Sequence, residues 1–315
     1  MVNIFPRKSS QEPKDRHPNA GLRRSEGLIG LLFLSPWILG LILLKLLPIL
    51  AALVFSFTNF KMLEPEKTHF IGLENYGRFF SDIGAWSNLA GSLGYFLTTV
   101  PLELLIALAL AAIVSSERLR VKGFLRSLIF MPSIIPAGAI FFIWLGLVDP
   151  ASGWLNILIM VPLGLPPISN DSFETLITMI AIWGIGPGFL IMYGAIQSIP
   201  KEIDEAARVD GAGPVMRFIS ITLPMISPAI FFSLVIDLTS AFGGSVLLDR
   251  GLPFNLSLSP MEGYINFVMF TNQDLGYATA LAWVMFAVTM TITVLLFRSA
   301  QRWVYFPEDT ENDSI

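Results

Sequence analysis

Six stretches of this chain, Leu28–Phe57, Leu89–Val114, Leu128–Val148, Phe173–Ile199, Phe218–Gly243 and Gly276–Phe297, are long runs of mostly apolar residues. A bilayer hydrocarbon core about 30 Å thick takes about 20 such residues as a helix. In lipid the backbone must satisfy its own N–H and C=O groups, so these stretches read as helices. No stretch alternates long enough to serve as barrel strands. The prediction is an all-α, polytopic membrane protein with six spans. Charged residues make up only 14% of the chain, against about 25% in soluble domains. Much of its surface therefore does not face water. Pro36, Pro48, Pro101, Pro132, Pro136 and Pro187 sit in or near the spans. Membrane helices tolerate proline where neighbours cover the freed carbonyls.

The loop charges set an orientation. With the N-terminus inside, the inner side holds 15 of the 20 Lys and Arg residues and the outer side holds Lys61, Lys67, Arg78 and Arg250. Lys45 lies within the first span. This is a positive-inside distribution with both termini cytoplasmic. Residues 1–27 read as a disordered basic tail, ending in Leu22-Arg23-Arg24-Ser25, and 306–315 as an acidic tail. The first 27 residues are polar and the run after them is too long for a secretory leader, so no cleaved signal is expected. With no cysteine, disulfides and thiolate metal sites are excluded. The only histidines, His17 and His69, fall outside the spans, so no metal site is expected. The net charge of −4 gives no general attraction to nucleic acid.

One connection does not read as a simple loop. About residues 200–213 it runs from Pro200 through Glu202, Asp204, Glu205, Ala206, Ala207 and Arg208 to Gly211. Pro200 suits a first helical turn, and the early acids suit the positive end of a helix. Ala206 and Ala207 form helix with little bulk. Gly211 can adopt the left-handed turn that ends a helix. The result is a short interfacial helix whose small-residue face permits close approach by another protein. Taken as an isolated triplet, Glu205-Ala206-Ala207 reads equally well as a solvated connector.

The longer pattern resembles a known family. Glu205-Ala206-Ala207, Gly211 and then Ile221-Thr222-Leu223-Pro224 are spaced as in the EAA loop of bacterial ABC importer permeases. Phe70-Ile71-Gly72-Leu73-Glu74-Asn75-Tyr76, with Ser56-Phe57-Thr58 before it, is similar to the segment after the first span of carbohydrate permeases. Arg126 with Pro132 and Pro136, Gly153-Trp154-Leu155-Asn156 and Gly276-Tyr277-Ala278-Thr279-Ala280 agree as well. The resemblance covers about 28–305 as one transmembrane domain. It is similar to the maltose, glycerol-phosphate and multiple-sugar types, and to the first permease of the pair.

The resemblance implies a mechanism and partners. The EAA helix would be a cytoplasmic coupling helix seated on a separate ATPase subunit, which would hold the ATP and Mg. This chain would bind no cofactor. In role, Glu205 would meet the ATPase electrostatically, and Ala206 and Ala207 would allow close packing. Gly211 would turn the chain. Ile221 belongs to the same signature, while Leu223 and Pro224 would set the angle of the fifth span. A second permease, an extracellular solute-binding protein and a carbohydrate cargo complete the set, with membrane lipid around it and no nucleic acid. The chain has no Gly-x4-Gly-Lys-Ser/Thr phosphate loop, so any use of ATP needs a partner.

Three ionisable residues fall inside the spans: Lys45, Glu103 and Asp237. Such groups are costly in lipid and face a partner or a cavity. Lys45 and Glu103 are expected to pair structurally, tying span 1 to span 2. Asp237 is a candidate for the cargo path, where it would accept hydrogen bonds from sugar hydroxyls or meet a cationic group; the plainer reading is a bond to a neighbouring helix or to the partner permease. Trp183, Tyr193 and Gln197 are further path candidates, against anchoring or core packing. Gly184, Gly186, Pro187 and Gly188 suggest either a hinge or close helix packing. Asn156 is a candidate contact for the binding protein. An importer permease for a non-sugar solute and a stand-alone secondary transporter are the alternatives. The lone basic residue in the spans disfavours glycerol phosphate and leaves a neutral saccharide.

Overall fold

The computed structural model describes residues 20–116, 119–148, 153–165, 182–242 and 259–305. Helices dominate it. Among the described residues there is no strand, only isolated bridges between Thr58 and Phe70 and between Lys61 and Asp274. The helices are α1 (Ala20–Leu41), α2 (Leu47–Ser56), α3 (Glu74–Ser81), α4 (Ile83–Ser115), α5 (Lys122–Phe130) and α6 (Ala137–Val148). After these come α7 (Gly186–Gln197), α8 (Lys201–Val209), α9 (Pro214–Arg217), α10 (Leu223–Met225), α11 (Ser227–Ala241), α12 (Pro260–Asn266) and α13 (Leu275–Trp303).

The chain divides into a small N-terminal unit, 1–54, and a larger unit, 55–315. In the first, α1 runs through a wider π-helical turn, Ile42–Leu46, into α2. Pro36 lies within α1 without ending it. Leu32, Phe33, Trp37 and Leu44 are exposed along this helix, as the lipid- or partner-facing side chains of a membrane helix are.

The larger unit is organised around α4. At 33 residues and about 1.5 Å of rise per residue, it exceeds the thickness of a bilayer core. Pro101 is accommodated inside it. Near its start, Leu89, Phe96 and Val100 pack with Leu238 and Phe242 from the end of α11, Met261 and Ile265 of α12, and Tyr277 and Leu281 of α13. Near its end, Ala107 and Ala111 meet Phe189 and Met192 of α7. Two alanines one turn apart make a shallow face, and a small-residue face lets helices in lipid approach closely.

Among the described residues, three helices are long and apolar enough to cross a membrane: Leu32–Ser56, Ile83–Ser115 and Leu275–Trp303. A fourth crossing is possible if Pro214–Met225 and Ser227–Ala241, bent by 62°, make one span. The third expected span is broken. A 3-10 turn, Met131–Ile134, separates α5 from α6, because Pro132 and Pro136 cannot donate to the helical ladder. Of the fourth expected span, residues 173–181 lie outside the described residues. The rest starts a helix at Gly186, after a turn at Gly184.

Candidate functional site

Two clusters and one group inside the bundle contain many of the residues singled out by sequence. The first cluster sits where α4 and α13 begin, and its backbone needs explain the motifs found there. Leaving α2, the chain exposes carbonyls that no helical N–H satisfies. Asn75 Nδ2 donates to the Ser56 carbonyl at 3.0 Å and the Thr58 carbonyl at 2.8 Å. The Ser56 and Tyr76 hydroxyls bond at 2.8 Å. Gly72, at φ +60, makes the turn that brings α3 back. Gly276 donates its N–H to the Phe60 carbonyl at 3.0 Å, and a Cβ there would collide with the Thr58 carbonyl. The Phe70–Tyr76 and Gly276–Ala280 motifs are thus two sides of one clasp on Ser56–Phe60.

Two aspartates lock this cluster. Asp82 caps α4 by accepting from Ala85 N–H at 3.2 Å. It also accepts from the hydroxyls of Tyr277, at 2.6 Å, and Tyr264, at 2.8 Å. Gly84 has no side chain to push the Tyr264 ring away. Asp274 caps α13 through Tyr277 N–H at 3.1 Å and pairs with Arg78 at 2.7 Å. The Arg78 guanidinium lies 3.9 Å above the Tyr277 ring. Burial works to raise the Asp82 carboxyl. The bonds from Tyr277, Tyr264, Ala85 and Gly84 outweigh it and hold the group below the usual aspartate value. Burial and the bond to Asp82 push the Tyr264 phenol up to about 12. Beside the cluster lies an open cavity of about 590 Å³, lined among others by Asn59, Lys61, Glu74, Asn75 and Arg78.

The second cluster is the tip formed by α8 and α9. Pro200 is the N-cap residue of α8, one place earlier than the sequence suggests. Gly211 takes φ +80. Its N–H reaches the Arg208 carbonyl at 3.1 Å, and Ala212 N–H reaches the Ala207 carbonyl at 2.9 Å. These two bonds form a Schellman turn, which satisfies carbonyls the helix end leaves open. Glu205 and Ala206 are exposed and Ala207 is half-buried. Val209 is 88% exposed, and Val215 and Met216 are exposed beside it in the chain.

Beyond the tip, Ile221 lies in a π-helical turn, Phe218–Thr222, and Leu223 and Pro224 form α10. The bend before α11 also depends on Ser227 and Pro228, which sequence reasoning missed. Pro228 lacks the N–H that would bond the Pro224 carbonyl. Ser227 Oγ donates to that carbonyl at 2.7 Å and accepts Tyr305 N–H at 2.8 Å. The Ser-Pro pair at 227–228 was the available signal.

Inside the bundle, Tyr95 donates to Glu103 at 3.1 Å. Asp237 on α11 lies near enough to Glu103 on α4 to interact with it electrostatically. Glu103 and Asp237, read separately from sequence, thus come within electrostatic reach of each other. Lys45 belongs to the N-terminal unit and Glu103 to the larger one, so their pairing stays an expectation. Trp183 stands edge-on to Trp144 at 5.8 Å. Tyr193 packs on Phe189 at 6.0 Å, with the Arg126 guanidinium 5.3 Å from its ring. Gln197 is exposed. Gly186 lies against the Phe130 backbone, where a Cβ would come within 3.0 Å, so this glycine serves close packing. Asn156 is only 2% exposed; its side chain is turned into the chain rather than outward. Among the described residues no group of three His, Asp or Glu side chains is placed to hold a metal.

The chain is similar to known proteins in sequence and in fold. Residues 103–305 match the family model described as "Binding-protein-dependent transport system inner membrane component". A probable ABC transporter permease protein of Bacillus subtilis, YesP, is 32% identical over 305 residues, covering 91% of this chain and 95% of that protein. The diacetylchitobiose uptake system permease protein NgcF of Streptomyces coelicolor is 29% identical, covering 81% of this chain and 77% of its own. In fold, the chain is similar to a bacterial ABC transporter that imports the acidic polysaccharide alginate. The TM-score is 0.69 at 21% identity, over 90% of this chain and 97% of that one.

Proposed function

Since the chain belongs to the family of inner-membrane components of binding-protein-dependent transport systems, we propose that it carries a carbohydrate across the cytoplasmic membrane as one half of a permease pair. Six spans, cytoplasmic termini and a bacterial or archaeal inner-membrane location belong to this reading. ATP and Mg bind a separate ATPase subunit, and this chain binds no cofactor. An extracellular solute-binding protein delivers the cargo, and the polar hollow beside Arg78 is its proposed resting place.

One observation carries the reading: α8 is a short, exposed helix held on a Schellman turn at Gly211, with Val209 fully presented. Val209, Val215 and Met216 are exposed together at this tip, and grouped apolar exposure of this kind marks a surface for a partner. Glu205, Ala206 and Ala207 meet the ATPase, Gly211 fixes the turn, and Ile221, Leu223 and Pro224 pass movement to α11. When the ATPase subunits close, α8 moves with them and the spans exchange inward-facing for outward-facing access. The carbohydrate reading is supported by the resemblance of Phe70–Tyr76 to sugar permeases and by NgcF.

Asp237, with Glu103 and Tyr95 beside it, is the proposed polar point on the cargo path. Trp183, Tyr193 and Gln197 remain path candidates, although Tyr193 and Trp183 are engaged in ring packing. The Lys45–Glu103 pair stays a structural proposal. The test is reconstitution with the second permease, ATPase and binding protein in proteoliposomes. ATP-dependent sugar uptake is expected. Uptake by this chain alone would refute the reading.

A further inference from the structure

The coupling reading leaves a mechanical problem. Between α8 and α9 the chain runs Asp210-Gly211-Ala212-Gly213. The Schellman turn at Gly211 holds α8 at one point only, and Gly213 beyond it leaves a compliant joint toward α9. A force applied to α8 would turn the helix about that joint and be lost before it reached α11. A second attachment would prevent this, and one is present. Arg217, the last residue of α9, places Nη1 2.7 Å from both carboxylate oxygens of Asp204 in α8. Arg208 holds the same carboxylate from within α8 at 2.9 Å. Arg217 is only 16% exposed, and its Nε is buried without a hydrogen-bond partner. The guanidinium is thus largely covered and turned onto Asp204, whose own side chain is 40% exposed, so the pair is better ordered and less solvated than one between two free surface chains.

The geometry points to Asp204 and Arg217 as positioning residues: their ion pair is a strut that makes α8 and the foot of the fifth span one lever, so that movement of the ATPase becomes movement of the cargo path. A helix fixed at two points, the Gly211 turn and the strut, cannot rotate about either. Asp204 does not face the ATPase as Glu205 does; it faces back toward the permease's own helix. This inference rests on the coupling role of α8.

The test uses the assembled transporter in proteoliposomes and reads solute moved per ATP hydrolysed. Asp204→Ala and Arg217→Ala are each expected to lower that ratio about tenfold, a common size for coupling between sites. The double variant is expected to be no worse than either, because the two residues act through one bond. A merely structural role would lower assembled transporter instead and leave the ratio alone. The chain has no cysteine, so Asp204→Cys with Arg217→Cys can be bridged by a thiol crosslinker of Asp–Arg length. Bridging is expected to restore the ratio. Losses that multiply in the double variant, or a verified bridge that restores nothing, would overturn the strut. Ala206→Trp serves as the control on the underlying reading. If it leaves ATPase docking intact, the coupling role of α8 fails. If docking is lost there but the strut variants behave independently, only the strut fails.

Discussion

The cluster at the start of α4 and the tip at α8 are both polar and both built on glycine turns, yet they are finished differently. The Asp82–Tyr264–Tyr277 and Asp274–Arg78 network closes on itself. Both aspartates cap helices and spend their remaining valence on side chains of the same chain. At the tip, the charges that close on themselves fix only the base of α8, while Glu205, Ala206 and Val209 face outward. One region is a finished joint. The other is half of one. The difference separates a region whose helix ends are satisfied within the chain from one whose exposed face is left for the proposed ATPase contact.

The largest break in this comparison is expected from Gly276→Leu. The side chain would enter the Thr58 carbonyl, and overpacking costs about 3 kcal/mol or more where backbone must move. Little folded chain should accumulate in membranes, as measured by fluorescence-detected gel filtration. Asp82→Ala is next. It removes a helix cap and strands two phenols, together worth about 2–4 kcal/mol. The detergent-solubilised chain should melt clearly lower, and Asp82→Asn should recover part of the loss. Val209→Ser should do the opposite. Its effect on melting should stay within about 0.5 kcal/mol, as for exposed positions, while ATPase co-purification weakens by about 1 kcal/mol of lost apolar contact. A melting loss as large as that of Asp82→Ala would erase the contrast.

The smallest effect is a pH dependence. The Asp82 carboxyl is held below its ordinary value of 3.8. Its contribution is therefore complete above that value and lost as pH falls through the lower folded value. Melting of the wild-type chain should lose this contribution only below about pH 4. The difference between wild type and Asp82→Ala should shrink there. A difference that vanishes already at pH 6 would mean that another group supplies the lock.

Much of the tip was legible in the sequence because its logic is local. The acids, alanines and Gly211 lie within one short segment, and helix ending by a left-handed glycine follows from residue type. The apolar stretches were legible for the same reason. The first-cluster motifs were visible as patterns, but their purpose was not: Asp82 and Tyr277 are 195 residues apart, and nothing local marks them as partners. Glu103 and Asp237 each stood out as charges in apolar surroundings, while their proximity depends on how α4 packs against α11. The break at Pro132 shows the limit of hydropathy, which counts apolar residues and does not see that two prolines close together end a helix.

The coupling role of α8 depends on where this helix sits and what it touches. Val209→Cys in this cysteine-free chain allows both to be read at once, with a membrane-impermeant thiol reagent and a thiol crosslinker in the assembled transporter. The expected result is labelling only after the cytoplasmic face is opened, and a crosslink to the ATP-hydrolysing subunit that shifts with nucleotide. Labelling of intact cells from outside, with no crosslink to that subunit, would contradict it.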